Sequence, residues 1–132
     1  MNNNKKEKVD EIITRIGRKY KAICAFKLEK ELGGSKVLQI AFLMGEKREE
    51  GDFHKIFSEL SEELEMSNID LVILNDAPLA IAYTIIKDGE EIYCDNREAL
   101  KKFKANVTER YLDFRNEVRG QIEISLKKSG LS

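Results

Sequence analysis

The sequence predicts an α/β (α+β) fold: a mixed sheet of about four strands covered by helices, ending in a long C-terminal helix. Three observations carry this. Short apolar runs at 22–26, 37–44 and 69–74 have the length and content of buried strands. Around them, apolar residues recur every three or four positions, the period of a helix with one buried face. From Asn96 to about Lys128 that period persists with no proline to stop it.

The elements follow in order. Val9, Ile12, Ile13 and Ile16 predict a first helix over 8–18, with Gly17 weakening its last turn. Ala22 to Phe26 reads as the first strand. Lys27 to Leu32 is charged and reads as a helical turn, broken by Gly33-Gly34-Ser35. Val37 to Met44 is a second strand, apolar enough to be covered on both faces. Alternation places Val37, Gln39, Ala41 and Leu43 on one face and Leu38, Ile40, Phe42 and Met44 on the other. The first connection is too short for a crossover helix, so these two strands are expected to be antiparallel.

Gly45 to Gly51 is a charged loop. A second helix is expected from Asp52, as N-cap, to Glu65, with Phe53, Ile56, Phe57, Leu60 and Leu64 on one stripe. Ile69 to Leu74 is the third strand, interrupted by one carboxylate, Asp70. A buried carboxylate is expensive unless something pairs with it, so Asp70 draws attention. Asp76 is read as the cap of a third helix that carries Pro78 in its first turn and ends at Gly89. Glu91 to Cys94 makes a short fourth strand.

Asn96 then caps the long helix, over about 96–128. Its stripe is Leu100, Phe103, Val107, Tyr111, Phe114, Val118, Ile122 and Leu126. Roughly 30 residues make a helix about 45 Å long, too long for a small domain to cover. Phe114, Val118, Ile122 and Leu126 are therefore the candidate interface. The competing reading is a break near Gly120 that folds the last segment back. Arg110, Asp113 and Arg115 lie on the same helix, solvated or rimming that interface.

The length fits one domain, 1–132. The chain holds 23 basic and 24 acidic residues, a net charge of −1, which argues against a nucleic-acid surface driven by bulk charge. No direct nucleic-acid binding is expected. No signal peptide and no apolar run of membrane-spanning length is visible, so a cytoplasmic protein without membrane attachment is expected. Cys24 and Cys94 form no CxxC or Cys/His cluster, so no zinc site is expected and both are read as buried free thiols, with a disulfide the alternative. Gly33-Gly34-Ser35 precedes a strand rather than a helix, so it reads as a turn and not a phosphate loop.

The run IDLVILNDAPLAIAYTIIKDGEEIY, followed by a charged helix containing RYLDFR, resembles the minimal nucleotidyltransferase (MNT) family of the DNA polymerase β-like nucleotidyltransferase superfamily. The resemblance covers most of the chain and is strongest over 68–115. It implies a Gly-Ser pair after the first strand, Asp-x-Asp on the second, and a third Asp on the strand after the next helix. Carboxylates two residues apart on a strand point the same way and share divalent metals, which polarise a triphosphate during nucleotidyl transfer. A Gly-Ser turn lets backbone N–H groups approach a phosphate.

This sequence keeps the spacing and loses those groups. Lys27 and Leu28 stand at the Gly-Ser positions, and Gln39 and Ala41 at the two Asp positions. Asp70 alone matches. It is read either as a metal-ligand remnant or as a solvated, hydrogen-bonded carboxylate. Lys27 is read either as a point charge for phosphate or as an exposed loop lysine. A shift of register adds no Asp or Glu anywhere in 37–44. The resemblance implies a degenerate member with no intact catalytic set, no cofactor and no metal, acting as a binding or antitoxin-like module for a HEPN-type protein partner. Two alternatives stand beside this. One is an enzyme or nucleotide sensor whose rebuilt site joins Asp70 to carboxylates of 46–52, using Mg²⁺ and a nucleoside triphosphate. The other is a homo-oligomeric scaffold, such as a dimer through the C-terminal helix. Arg48 and His54, the single histidine, resemble the Arg…His pairing of HEPN ribonucleases, but they straddle a glycine-containing loop and are read as coincidence.

Overall fold

The computed structural model describes the backbone of residues 2–45 and 49–128, and the side chains of 7–45 and 49–123. The elements run α1 (Asn2–Lys19), β1 (Ala22–Leu32), β2 (Ser35–Met44), α2 (Asp52–Leu64), β3 (Ile69–Ile73), α3 (Leu79–Asp88), β4 (Glu90–Cys94) and α4 (Arg97–Lys128). A single 3-10 turn, Leu74–Asp76, links β3 towards α3.

The four strands form one mixed sheet in the order β3-β2-β1-β4. β1 pairs antiparallel with β2 and with β4, whereas β2 and β3 are parallel, joined by the α2 crossover. Both faces of the sheet are buried. Ile40, Phe42 and Met44 face Ile13 and Ile16 of α1 and Ile56 and Leu60 of α2. Ala41 and Leu43 face Ala82 and Ile85 of α3 and Leu100 and Val107 of α4. The expected alternation along β2 thus divides the molecule into three layers, helices–sheet–helices.

Three local expectations are corrected. Lys27 to Leu32 is not a helical turn; it continues β1 into a hairpin whose register runs to Leu32 opposite Ser35. The hairpin turns on Gly33 and Gly34, with φ of 58° and 82°. Two consecutive positive φ values give the two-residue turn whose twist matches the flanking strands. Asp52 is the first residue of α2 rather than its cap, since Gly51 takes that place in a left-handed conformation. Asp76 does not cap α3 either: it lies in the 3-10 turn, and Pro78 precedes the helix without a side-chain cap. Asn96 does cap α4, accepting the Ala99 N–H at 3.1 Å.

Gly17 sits where α1 presses on the sheet. A Cβ there would lie 2.5 Å from Tyr93 Oη and 2.8 Å from Phe42 Cε1. Tyr93 itself donates its buried hydroxyl proton to the Ala22 carbonyl, at 2.7 Å. Burial pushes the Tyr93 phenol above its ordinary range.

α4 spans 32 residues without a break at Gly120, about 48 Å at the usual rise. Its N-terminal half packs on α3, and the packing ends where Tyr111 stacks on Tyr83, ring centroids 4.0 Å apart. Beyond that point the same stripe runs off the body of the molecule. Phe114 is 57% exposed, Val118 39% and Ile122 55%. The Leu126 side chain lies outside the described residues. No helix of the described residues is long and apolar enough to cross a membrane.

Candidate functional site

The positions singled out in the sequence converge across three strands. Leu28 of β1 lies opposite Gln39 of β2, and Gln39 lies beside Asp70 of β3. The three form one row across the sheet. In the next same-face row Phe26, Ala41 and Val72 are neighbours. Gln39 and Ala41 thus share a face with Asp70, as two residues apart on a strand must.

The chemistry of the row is uneven. Gln39 is 2% exposed, the one buried polar residue of the described core. Its Nε2 donates to Asp70 Oδ2 at 2.9 Å. Its Oε1 is buried and has no hydrogen-bond partner among the described residues. Asp70 lies on the edge strand and is exposed, so its charge keeps its water. Ala41 is packed among Cys24, Phe26, Leu43 and Leu74 and offers nothing polar.

Lys27 is not in an exposed loop. It sits within β1, paired with Ile40 and Glu90, and belongs to the opposite face. Its ammonium meets Asp10 at 2.5 Å and Glu90 at 3.8 Å, with the side chain only 10% exposed. Lys27 and Leu28 are extended strand residues, whereas a phosphate cradle needs a turn whose N–H groups are free to converge. The hairpin turn itself lies further along, at Gly33-Gly34, and no helix opens from it.

Asp70 and Gln39 line a cleft of about 650 Å³ at the β3 edge. Its other polar walls are Glu49, Glu50, Asp52 and Asp76, with Phe53, Ile56, Pro78 and Ile81 as apolar ones. Asp52 Oδ2 accepts the Glu49 N–H at 3.1 Å. Among the described residues, no group of three or more His, Cys, Asp or Glu side chains could hold a metal ion. Arg48 lies outside the described residues, and His54 is exposed on α2, edge-on to Phe53.

One positioning residue was missed at the level of sequence. Asn75 Oδ1 accepts the Met44 N–H at 2.8 Å while its Nδ2 donates to the Met44 carbonyl at 3.0 Å. The side chain thereby extends the ladder by one rung and fixes the 3-10 turn against the end of β2. Asn75 between a strand and a helix is a turn-forming residue type, but the sequence does not say which backbone it grips.

The family model described as "Polymerase beta, Nucleotidyltransferase" matches residues 38–98. That span holds Gln39, Ala41 and Asp70 and leaves out Lys27 and Leu28. Among solved structures, a toxin–antitoxin MntA–HepT structure is similar at 18% identity and a TM-score of 0.69, covering 89% of this chain and 97% of that chain. The chain has the minimal nucleotidyltransferase fold. A toxin–antitoxin structure with AMP-PNP is similar at 16% identity and a TM-score of 0.70, covering 89% and 98% of the two chains. So is a structure of a tri-AMPylated Shewanella oneidensis HEPN toxin in complex with MNT antitoxin, at 16% identity and a TM-score of 0.69, covering 89% and 96%. Curated proteins give no significant sequence match. At these identities the likeness speaks for the MNT fold, with its four-stranded mixed sheet and long last helix.

Proposed function

We propose that this chain is a catalytically inactive MNT-type antitoxin that restrains a HEPN-type partner by binding it. The observation that carries the proposal is the row Leu28–Gln39–Asp70 with Ala41 beside it. It places one carboxylate where two-metal nucleotidyl transfer draws on three. Magnesium is held by one or two carboxylates together with substrate phosphates, and this chain has no phosphate cradle at Lys27-Leu28 to supply the second part. The likeness to MNT antitoxins found with HEPN toxins supports the partner. The distal stripe of α4 supports the route: Phe114, Val118 and Ile122 form an apolar strip that the other described residues leave exposed.

The test is reconstitution with a HEPN-type protein from the same genome as this chain. The expected result is stoichiometric inhibition of the partner with no nucleotide added and no nucleotide mass gained by the partner. Val118→Glu is expected to weaken the complex by at least about tenfold, the effect of burying a charge in an interface core, with the thermal midpoint of the free protein unchanged. AMP transfer to the partner with Mg²⁺ and ATP, lost in Asp70→Ala, would show the chain to be an enzyme.

The second reading is a nucleotide sensor with a rebuilt metal site in this cleft, although no three carboxylates among the described residues are grouped closely enough to hold a metal ion. Glu49, Glu50 and Asp52 line the same cleft as Asp70. That reading requires saturable, metal-dependent nucleotide binding. Titration calorimetry giving no heat with any nucleotide in Mg²⁺ excludes it.

A further inference from the structure

Cys24 and Cys94 are distant in sequence and adjacent in space. They are Cα partners across the antiparallel β1–β4 pair. Their sulfurs are in contact at 2.7 Å, between residues 70 apart in the chain. The Asp95 N–H donates to the Ile23 carbonyl at 2.8 Å. That bond runs between the residues flanking the pair, which makes Cys24 and Cys94 a non-hydrogen-bonded pair, the kind whose side chains lie closest. Such pairs have Cα atoms about 4.5 Å apart, inside the roughly 4.4–6.8 Å that disulfides span. Both residues are free thiols in this structure, and the proposed function makes no use of them.

We propose that Cys24 and Cys94 are a reversible disulfide site, closed by exchange with a low-molecular-weight disulfide such as oxidised glutathione. Cys94 is half-buried and is the sulfur an oxidant reaches; Cys24 is fully buried. Cys94 gives its proton to water and its thiolate attacks one sulfur of the oxidant, which stays bound to Cys94; the other sulfur leaves as a thiolate and is protonated. Cys24 then attacks the Cys94 sulfur of the mixed disulfide. The second small thiol departs with the Cys24 proton. Two protein thiols are oxidised and one small disulfide is reduced to two thiols, so electrons and protons balance. Burial, and then the contact with Cys94, push the Cys24 thiol well above its ordinary range. Cys24 therefore does not start the exchange; its sulfur resolves the mixed disulfide because it lies in contact with the Cys94 sulfur. The bond pins edge strand β4 to β1 just before α4 begins, fixing the root of the helix that carries the exposed stripe.

The experiment is equilibration of the native, reduced protein in buffers of increasing oxidised-to-reduced glutathione ratio. Intact mass and maleimide labelling are the readouts. The expected end state has lost two hydrogens, carries no glutathione and offers no thiol to maleimide. Its thermal midpoint is raised by about 10 °C, as a crosslink closing a long loop implies. Cys24→Ser is expected to stop at one glutathione on Cys94. Three results overturn the proposal: both thiols still labelled in fully oxidising buffer, an unresolved glutathione adduct on the wild-type chain, or a disulfide joining two chains. Because wild-type protein alone gives the decisive reading, a variant that fails to fold does not blunt the test.

Discussion

Replacing Gln39 by methionine tests whether the amide in the sheet is there for stability. The two side chains have similar length and volume, so packing changes little. Two polar terms change. The Nε2 bond to Asp70 is lost, but Asp70 is exposed and exchanges that donor for water, a loss of about 0.5–1.5 kcal/mol. The buried Oε1 has no partner among the described residues, and removing an orphaned acceptor returns about 1–3 kcal/mol. The balance favours the variant by about 1 kcal/mol. For a chain of this length that is a rise of about 4 °C in thermal midpoint. Urea unfolding with an unchanged m-value is the confirming assay. A loss of about 2 kcal/mol or more would refute the reasoning, because it would mean that Oε1 is bonded, for instance by an ordered water. A stabilising Gln39→Met leaves the amide without a structural reason and directs attention to the cleft it lines.

Three further outcomes are expected. Gly17→Ala gains about 0.5–1 kcal/mol of helix propensity but drives a methyl into Tyr93 and Phe42; a net loss of about 1–2 kcal/mol in thermal unfolding is expected. Asn75→Ala removes both bonds to the Met44 backbone, and urea titration should show a loss of about 1–3 kcal/mol. The Glu59 carboxyl is held below its ordinary value by hydrogen bonds from Lys19 and Tyr20. A depressed folded-state value stabilises above the unfolded value of about 4.3 and ceases to do so as pH falls through the folded one. The stability difference between wild type and Glu59→Gln should therefore shrink as pH falls from about 5 through the lowered folded-state value, and a difference independent of pH would contradict the pairing.

The legible parts of the fold are those where a local pattern has one physical outcome. The alternation along Val37–Met44 became the two buried faces of β2, because a strand turns successive side chains to opposite sides. Asn96 capped α4 because its side chain reaches the first-turn N–H groups unaided. The failures came where local signals tie. Leu28 and Leu32 are four apart, as on a helix, yet the segment extends because β2 offers it a ladder and Gly33-Gly34 a turn. Asp52 and Asp76 have the chemistry of caps, but the chain path puts one inside its helix and the other in a 3-10 turn.

The sequence by itself determined the mixed sheet, the long last helix and the absence of carboxylates on β2 beside Asp70, since each follows from residue type and period. Only the tertiary structure decided which groups meet. It set Gln39 against Asp70, drew Lys27 to the opposite face under Asp10, and brought Cys24 to Cys94 across 70 residues. It also fixed Tyr111 on Tyr83 as the point beyond which the apolar stripe of the described residues of α4 is exposed. Strand register and helix overhang are set by contacts between residues far apart in the chain, and no window along the sequence contains both partners.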